Sequence, residues 1–289
     1  MFPLNPLKEY LMNFKVGFVT MVFLWGTMAM IPIAKLLPYD AYLLTFVRGV
    51  PAVVIAGLLL FFTKGKVQLP SKNTVQCVLA FTVAAFALFQ AIIFWGPGLS
   101  AVILDMAVLV NFVIAWSRGE KPNKVQLLIF AFAIVGSFLA VRGWSIEGFS
   151  FFGLVWSLVA MIANGLFIEC ITKGDQELPV QVFWLGSGLA LLGGVFSFST
   201  LGVFLDLSPR QIILTTILGV TTGAMNFFFG FLAGKNLKPV TLGLLVLGVT
   251  PSILISSYFI LGTALHADQL VGVVVMITSL AVFKTISAK

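Results

Sequence analysis

Charged side chains are scarce here, at 9% of the 289 residues, where soluble globular chains carry about 25%. So little charge cannot cover a water-facing surface, which leaves lipid as the solvent. The single histidine and two cysteines give no Cys/His spacing for a metal centre. Cys77 and Cys170 both fall inside apolar runs toward the same end of their spans, and they read as free, buried thiols with no disulfide framework. No GxxxxGK[ST] loop is present for ATP hydrolysis, and neither GxSxG nor HExxH occurs. A membrane hydrolase or acyltransferase needs a cluster of nucleophile, base or metal ligands, so the chain does not read as an enzyme and no cofactor is expected. The alternating ten-residue segments of a β-barrel are missing. So are the rings of like residues or the filter loop of a channel.

What is abundant is apolar: 60% of the residues, with a mean hydropathy of +1.11. A bilayer core about 30 Å thick takes roughly 20 helical residues to cross. Ten stretches qualify: 16–36, 41–61, 74–94, 99–116, 125–141, 151–171, 181–203, 212–233, 240–261 and 270–286. The last is the weakest, because its uncharged core is short and Lys284 must snorkel. The run after residues 1–15 is of spanning length and lacks a small-residue cleavage site, so it reads as a retained helix. Pro32, Pro51 and Pro251 are expected to kink helices one, two and nine.

The net charge of +7 is a topology signal, and no nucleic-acid partner is implied. With the N-terminus cytoplasmic, thirteen basic residues lie in inner segments: Lys8, Lys15, Lys64, Lys66, Lys72, Arg118, Lys121, Lys124, Lys173, Lys235, Lys238, Lys284 and Lys289. Three lie outside (Lys35, Arg142 and Arg210), and Arg48 sits within a span. That asymmetry obeys the positive-inside rule only if none of the ten crossings is added or dropped. Both termini are therefore expected in the cytoplasm, with the chain multi-pass in a plasma membrane, the inner one in a bacterium.

The chain divides into a cytoplasmic segment 1–15, five helices over 16–142, an outer connector 143–150 and five more helices over 151–286. LSAVILDMAVLVNFVIAWSRGEKPNKVQLL from Leu99 and VTLGLLVLGVTPSILISSYFILGTALHADQLV from Val240 share one plan. Each has a small-residue helix, a turn opened by glycine (Gly119, Gly262), a few polar residues, then the half's last apolar helix. Five is odd, so the second half enters the membrane from the opposite side, an arrangement that puts a transporter's site near the midplane between the halves.

On the Trp25–Gly26 pair, FVRGVPAVVIAGLLL around Arg48, Arg118-Gly119-Glu120 and KNLKPVTLGLLVLGVTPSILISSYFILG, the chain resembles the drug/metabolite transporter superfamily in its ten-helix EamA-type branch. The resemblance runs from Val16 almost to the end. It implies a permease that moves small metabolites through a central cavity by alternating access, and it leaves the substrate open. Arg48 looks like a basic residue common at that place in the family. Asp105 stands where relatives are usually uncharged, which makes it the candidate for substrate choice.

Ionisable groups within a span cost at least about 2.5–3.5 kcal/mol at mid-helix, so Arg48, Asp105 and Glu169 each need a reason. Arg48 and Asp105 lie at matching depths, roughly 12 and 9 Å from the outer ends of their helices at 1.5 Å rise per residue. Either they pair to hold two helices together, or Asp105 faces the cavity and meets substrate or a proton. Trp25 and Asn164, each followed by glycine, lie near midplane depth in the first helix of each half and are candidates to line the cavity. Asn226 shares a face with Gly219, Gly223, Gly230 and Gly234, as a cavity liner or as a hydrogen bond in a close-packed seam. Gln90 and Glu169 are assigned to the cavity rim, Glu169 as a solvated carboxylate near Lys173.

The expected function is secondary transport of a small organic metabolite, leaning to a cation or zwitterion such as an amine or amino acid. Asp105 offers a carboxylate, and Trp25 and Trp95 offer aromatic faces to cations. The alternatives are a flippase for a lipid intermediate, or efflux of neutral metabolites or drugs. Proton or ion coupling and a monomeric or homodimeric state stay open.

Overall fold

In the computed structural model, residues 6–95, 97–120, 123–140, 150–262 and 264–287 are described. The connector read over 143–150 falls outside them except for Ser150. The described chain is all-helical. The helices are α1 (Pro6–Met28), α2 (Ala41–Phe62), α3 (Lys72–Trp95), α4 (Pro97–Asp105), α5 (Ala107–Ser117), α6 (Lys124–Ala140) and α7 (Phe151–Ile171). They continue as α8 (Leu178–Phe196), α9 (Pro209–Leu218), α10 (Asn226–Asn236), α11 (Pro239–Val246), α12 (Val249–Leu261) and α13 (Ala267–Ser287). Tight 3-10 helices cover Ile31–Leu36 and Phe198–Asp206, and a π-helical stretch, Gly219–Met225, joins α9 to α10.

Seven helical stretches among the described residues are long and apolar enough to cross a bilayer, and three shorter apolar ones accompany them: Val102–Ser117, Lys124–Ala140 and Ala267–Phe283. The outward faces are apolar as well: Phe61, Leu191 and Phe259 are all at least 70% exposed. This is a membrane-embedded helical protein, because only lipid tolerates such a surface.

Lipid gives apolar side chains no reason to leave it for another helix, so helix association relies on close packing of small residues. The α2–α8 contact shows this. A methyl group on Gly49 would strike the Ala190 backbone and come within 2.7 Å of the Gly186 carbonyl. The α6–α13 contact repeats the device, with the Gly272 carbonyl 2.9 Å from a methyl built on Gly136.

Helix ends follow their sequence signals. Asp40 caps α2 by accepting the Leu43 amide at 2.7 Å, and Ser208 and Gln211 form a reciprocal capping box on α9. Gly119 and Gly262 close their helices with φ of +81° and +66°. A side chain has room at both, so it is the left-handed backbone that requires glycine.

Five expected stretches differ in detail. The one expected over 16–36 leaves the α form at Met28 and continues as the 3-10 helix Ile31–Leu36, which carries Pro32. The one expected over 181–203 ends at Phe196, where the Ser197 hydroxyl takes the Gly193 carbonyl and the chain tightens into a 3-10 helix. The one expected over 99–116 is broken at Met106, between α4 and α5. The one expected over 240–261 is broken at Leu247–Gly248, between α11 and α12. The one expected over 212–233 carries the π-helical stretch. α2 runs on through Pro51, and Pro251 sits in the first turn of α12, where no amide donor is needed.

Candidate functional site

Residues flanking the two helix breaks, together with Asn226 just after the π-helical stretch, line a cavity of about 120 Å³ that Arg48, Asn164 and mostly apolar side chains complete; Asp105 and Thr250 are among those flanking residues. Each polar group is there for a local reason.

Asp105 is the last residue of α4 and only 4% exposed. Its Oδ2 accepts from Ser137 Oγ of α6 and from Thr250 Oγ1 of α12, both at 2.7 Å. The carboxylate thereby ties the α4–α5 break to the first turn after the α11–α12 break. No cation lies within 4.0 Å of it among the described residues.

Arg48 is 3% exposed. Its Nε and Nη2 donate to the Thr222 carbonyl at 3.2 and 3.0 Å, and its guanidinium lies 5.6 and 5.8 Å from the ring centres of Phe81 and Phe89. The π turn explains why that carbonyl is available. An α-helix would give Thr222 the Asn226 amide four residues on. Here the Asn226 amide bonds the Thr221 and Gly223 carbonyls instead. α2 reciprocates. Pro51 removes the donor that the Val47 carbonyl would have had, and that carbonyl packs against Gly219, 2.5 Å from where a methyl there would sit.

Arg48 and Asp105 thus share a cavity without pairing, and uncharged neighbours bond Arg48 only through Nε and Nη2 and Asp105 only through Oδ2. Asn226 is 8% exposed and accepts from Thr27 at 3.5 Å while facing the cavity. Its expected glycine face is divided by the π turn. Gly219 and Gly223 meet α2, Gly230 meets Leu24 of α1, and Gly234 meets Ile171 of α7. Asn164 faces the cavity, and its amide makes no hydrogen bond among the described residues.

Trp25 is placed otherwise. It does not line the cavity. Its indole donates to the Leu245 carbonyl at 2.8 Å and wedges against Gly248, where any side chain would collide with it. Gln90, half-buried on α3, does not line the cavity either. The Trp95 side chain lies outside the described ones, and the aromatic lining comes from Phe81, Phe167 and Phe227.

Glu169 corrects an expectation. It is 4% exposed, not solvated, and its main partner is Arg118 Nη2 at 2.8 Å, with Lys173 Nζ at 3.7 Å. It lines a separate pocket with Arg118, Gln126 and Lys238. The end of α5 and the start of α11 cover the end of α7 there.

Asn111 was missed. It is fully buried on α5, and its Nδ2 donates to the Gly165 carbonyl of α7 at 2.8 Å. An amide inside an apolar run was the available signal.

The cavity adjoins a second one at the end marked by Lys35 and Tyr39, through shared walls at Ile31, Ile92 and Ile253. Burial pushes the Tyr39 phenol's pKa up, and its hydrogen bond with Thr215 works against that. Toward the opposite end Phe81 packs on Phe167 and Phe227, Phe167 meets Phe231, and the Arg118–Glu169 pair lies beyond.

No family profile and no curated protein matches the chain. Among solved structures, one described only as a crystal structure of a protein superposes with a TM-score of 0.78 at 14% identity, covering 95% of this chain and 97% of that one. At that identity the likeness is one of fold. Fold and site together define a membrane-embedded helical protein with a small internal cavity bearing both charge signs.

Proposed function

We propose that the chain is a secondary transporter of a small organic solute, with ten crossings arranged as two inverted five-helix halves, 16–142 and 151–286. In this reading α1 with its 3-10 extension, α4 with α5, α9 with α10, and α11 with α12 each make one crossing. Two features support the inverted halves. The fourth crossing of each half is broken at mid-span, and each ends on a left-handed glycine. The resemblance to the EamA-type branch of the drug/metabolite transporters points the same way, and the charge asymmetry supports cytoplasmic termini in a plasma membrane.

The observation that carries the functional reading is the unpaired placement of Arg48 and Asp105 on one cavity. A buried charge without a counter-ion is expensive, so a site that keeps two of them apart suits a ligand that supplies both partners. Asp105 Oδ1 and Arg48 Nη1 make no hydrogen bond among the described residues. A substrate ammonium meets the first and a carboxylate the second, with an apolar side chain on Phe81, Phe167 and Phe227. A zwitterion or small cation therefore fits better than a neutral solute. The cavity's 120 Å³ is near the roughly 150 Å³ that holds one benzene-sized molecule, which favours a small metabolite over a lipid-linked intermediate.

The test is a ligand-stabilisation and uptake screen of amines, amino acids and neutral metabolites on purified protein, repeated with Asp105→Asn. A cationic or zwitterionic hit should lose at least about tenfold in affinity, roughly 1.4 kcal/mol, while the variant's own melting stays cooperative. Unchanged binding by the variant would remove Asp105 from the site. Stabilisation by lipid intermediates alone would replace the proposal with the flippase reading.

A further inference from the structure

We propose that Cys77 and Cys170 form a reversible disulfide that staples α3 to α7. Both thiols are free, and the packing of the two helices sets them on facing surfaces of α3 and α7. Asn73, Cys77 and Phe81 are spaced i, i+4, i+8 and so share one face of α3. Phe167 and Cys170, at i and i+3, share one face of α7. On one side of the thiols Asn73 Nδ2 donates to the Cys170 carbonyl at 3.1 Å, and on the other the Phe81 and Phe167 rings pack at a tilt with centres 4.6 Å apart. Cys77 and Cys170 thus lie where α3 and α7 face each other, between two other contacts. Ser71, Thr74, Asp175 and Gln176 hydrogen-bond into a polar cap at the same end of α3, so the pair lies where the apolar span gives way to water.

Exposure sets the order of the chemistry. Cys77 is 1% exposed and Cys170 is partly open, so a hydroperoxide reaches Cys170 first. The Cys170 thiol attacks the peroxide, forming a sulfenic acid and one molecule of water or alcohol. The Cys77 thiol then attacks that sulfur, the S–S bond forms, and the sulfenic oxygen leaves as water carrying the thiol proton. Two thiols are oxidised by two electrons and the peroxide is reduced. A dithiol reverses the bond by exchange. On the cytoplasmic placement of this end, where thiols are normally kept reduced, such a bond is transient and redox-sensing. Resting on the proposed two-half transporter, the staple joins one half to the other and holds the solute path in its present state.

The test uses the wild-type protein, which has only these two cysteines. After hydrogen peroxide treatment and denaturation, the chain should take up no maleimide, be lighter by two hydrogens and run as a monomer. Dithiothreitol should restore both labels. Cys77→Ser should instead gain oxygen at Cys170. Two labels retained after peroxide, an oxygen gain in wild type that dithiothreitol does not reverse, or a bond between chains would overturn the proposal. Solute uptake should stop in the oxidised protein and resume on reduction. A fully bonded chain that transports at the reduced rate would refute the staple as a lock. A reduced chain that carries nothing would instead count against the transporter reading and leave the labelling result standing.

Discussion

Asp105 and Glu169 are both about 4% exposed, yet their surroundings ask different things of them. Two hydroxyls satisfy one oxygen of Asp105, and no cation lies within 4.0 Å of it among the described residues. Glu169 leans on Arg118, whose side chain is 40% exposed. Removing one partner of a pair costs most when the remaining charge is buried. Arg118→Gln leaves the Glu169 carboxylate, which already has Oε1 unpartnered, with only Lys173 at 3.7 Å, and should destabilise the protein by roughly 1–3 kcal/mol. Glu169→Gln leaves Arg118 free to turn to water and should cost under about 1 kcal/mol. Chemical denaturation of both variants in one detergent checks the order. Equal costs would mean that the pair behaves as a surface pair. The sequence makes Arg48 and Asp105 conspicuous, because charge in an apolar run needs a reason, but their partners are hidden. Ser137 and Thr250 are two hydroxyls among many, 32 and 145 residues away from Asp105. The acceptor of Arg48 is a backbone carbonyl, which no residue letter records.

The interruptions of the helices decide where those carbonyls and carboxylates point. Proline marks only one of them: α2 passes through Pro51 unbroken and Met106 has no proline or glycine beside it, whereas Pro251 follows the Leu247–Gly248 break and leaves the Leu247 carbonyl without its helical donor. At Gly248 the break also depends on a long-range fit. The Trp25 indole occupies the space a side chain would need and bonds the Leu245 carbonyl. Gly248→Ala should therefore lower stability by roughly 1–3 kcal/mol through overpacking. Combined with Trp25→Ala, which empties that space, the added methyl should cost much less than in the wild-type background. A double-mutant cycle on thermal or denaturant unfolding reads the difference. Additive costs would mean that the wedge does not hold the break. This also explains what was legible in the elements. Ten apolar runs and two turn glycines depend on local composition and φ, so the sequence displays them. A break or π turn made by a distant indole or guanidinium has no local signature, and the glycine face of α9 and α10 was consequently assigned to one seam when it serves three helices.

At the scale of the whole molecule the two ends of the central cavity are unlike. Toward Lys35 and Tyr39 only apolar walls at Ile31, Ile92 and Ile253 separate it from the next cavity. Toward Arg118 four phenylalanines, Phe81, Phe167, Phe227 and Phe231, close ranks ahead of the Arg118–Glu169 pair. On the proposed transporter reading this state gives readier access from the Lys35 side, and thiol accessibility tests that directly once Cys77 and Cys170 are replaced by serine. Ile253→Cys and Ile171→Cys both line the central cavity, at opposite ends of it. A membrane-impermeant maleimide supplied from the Lys35 side should label Ile253→Cys readily. Supplied from the Arg118 side it should label Ile171→Cys on the order of tenfold more slowly, the ratio that a preference of about 1.4 kcal/mol for the closed barrier produces. Glu169→Gln should raise the slow rate by weakening that barrier, and a transported solute should change both rates in opposite directions as the population shifts. Fast labelling of Ile171→Cys from the Arg118 side in the unmodified background would mean that the phenylalanine layer is no barrier. The ion pair behind it would then be only a local helix contact.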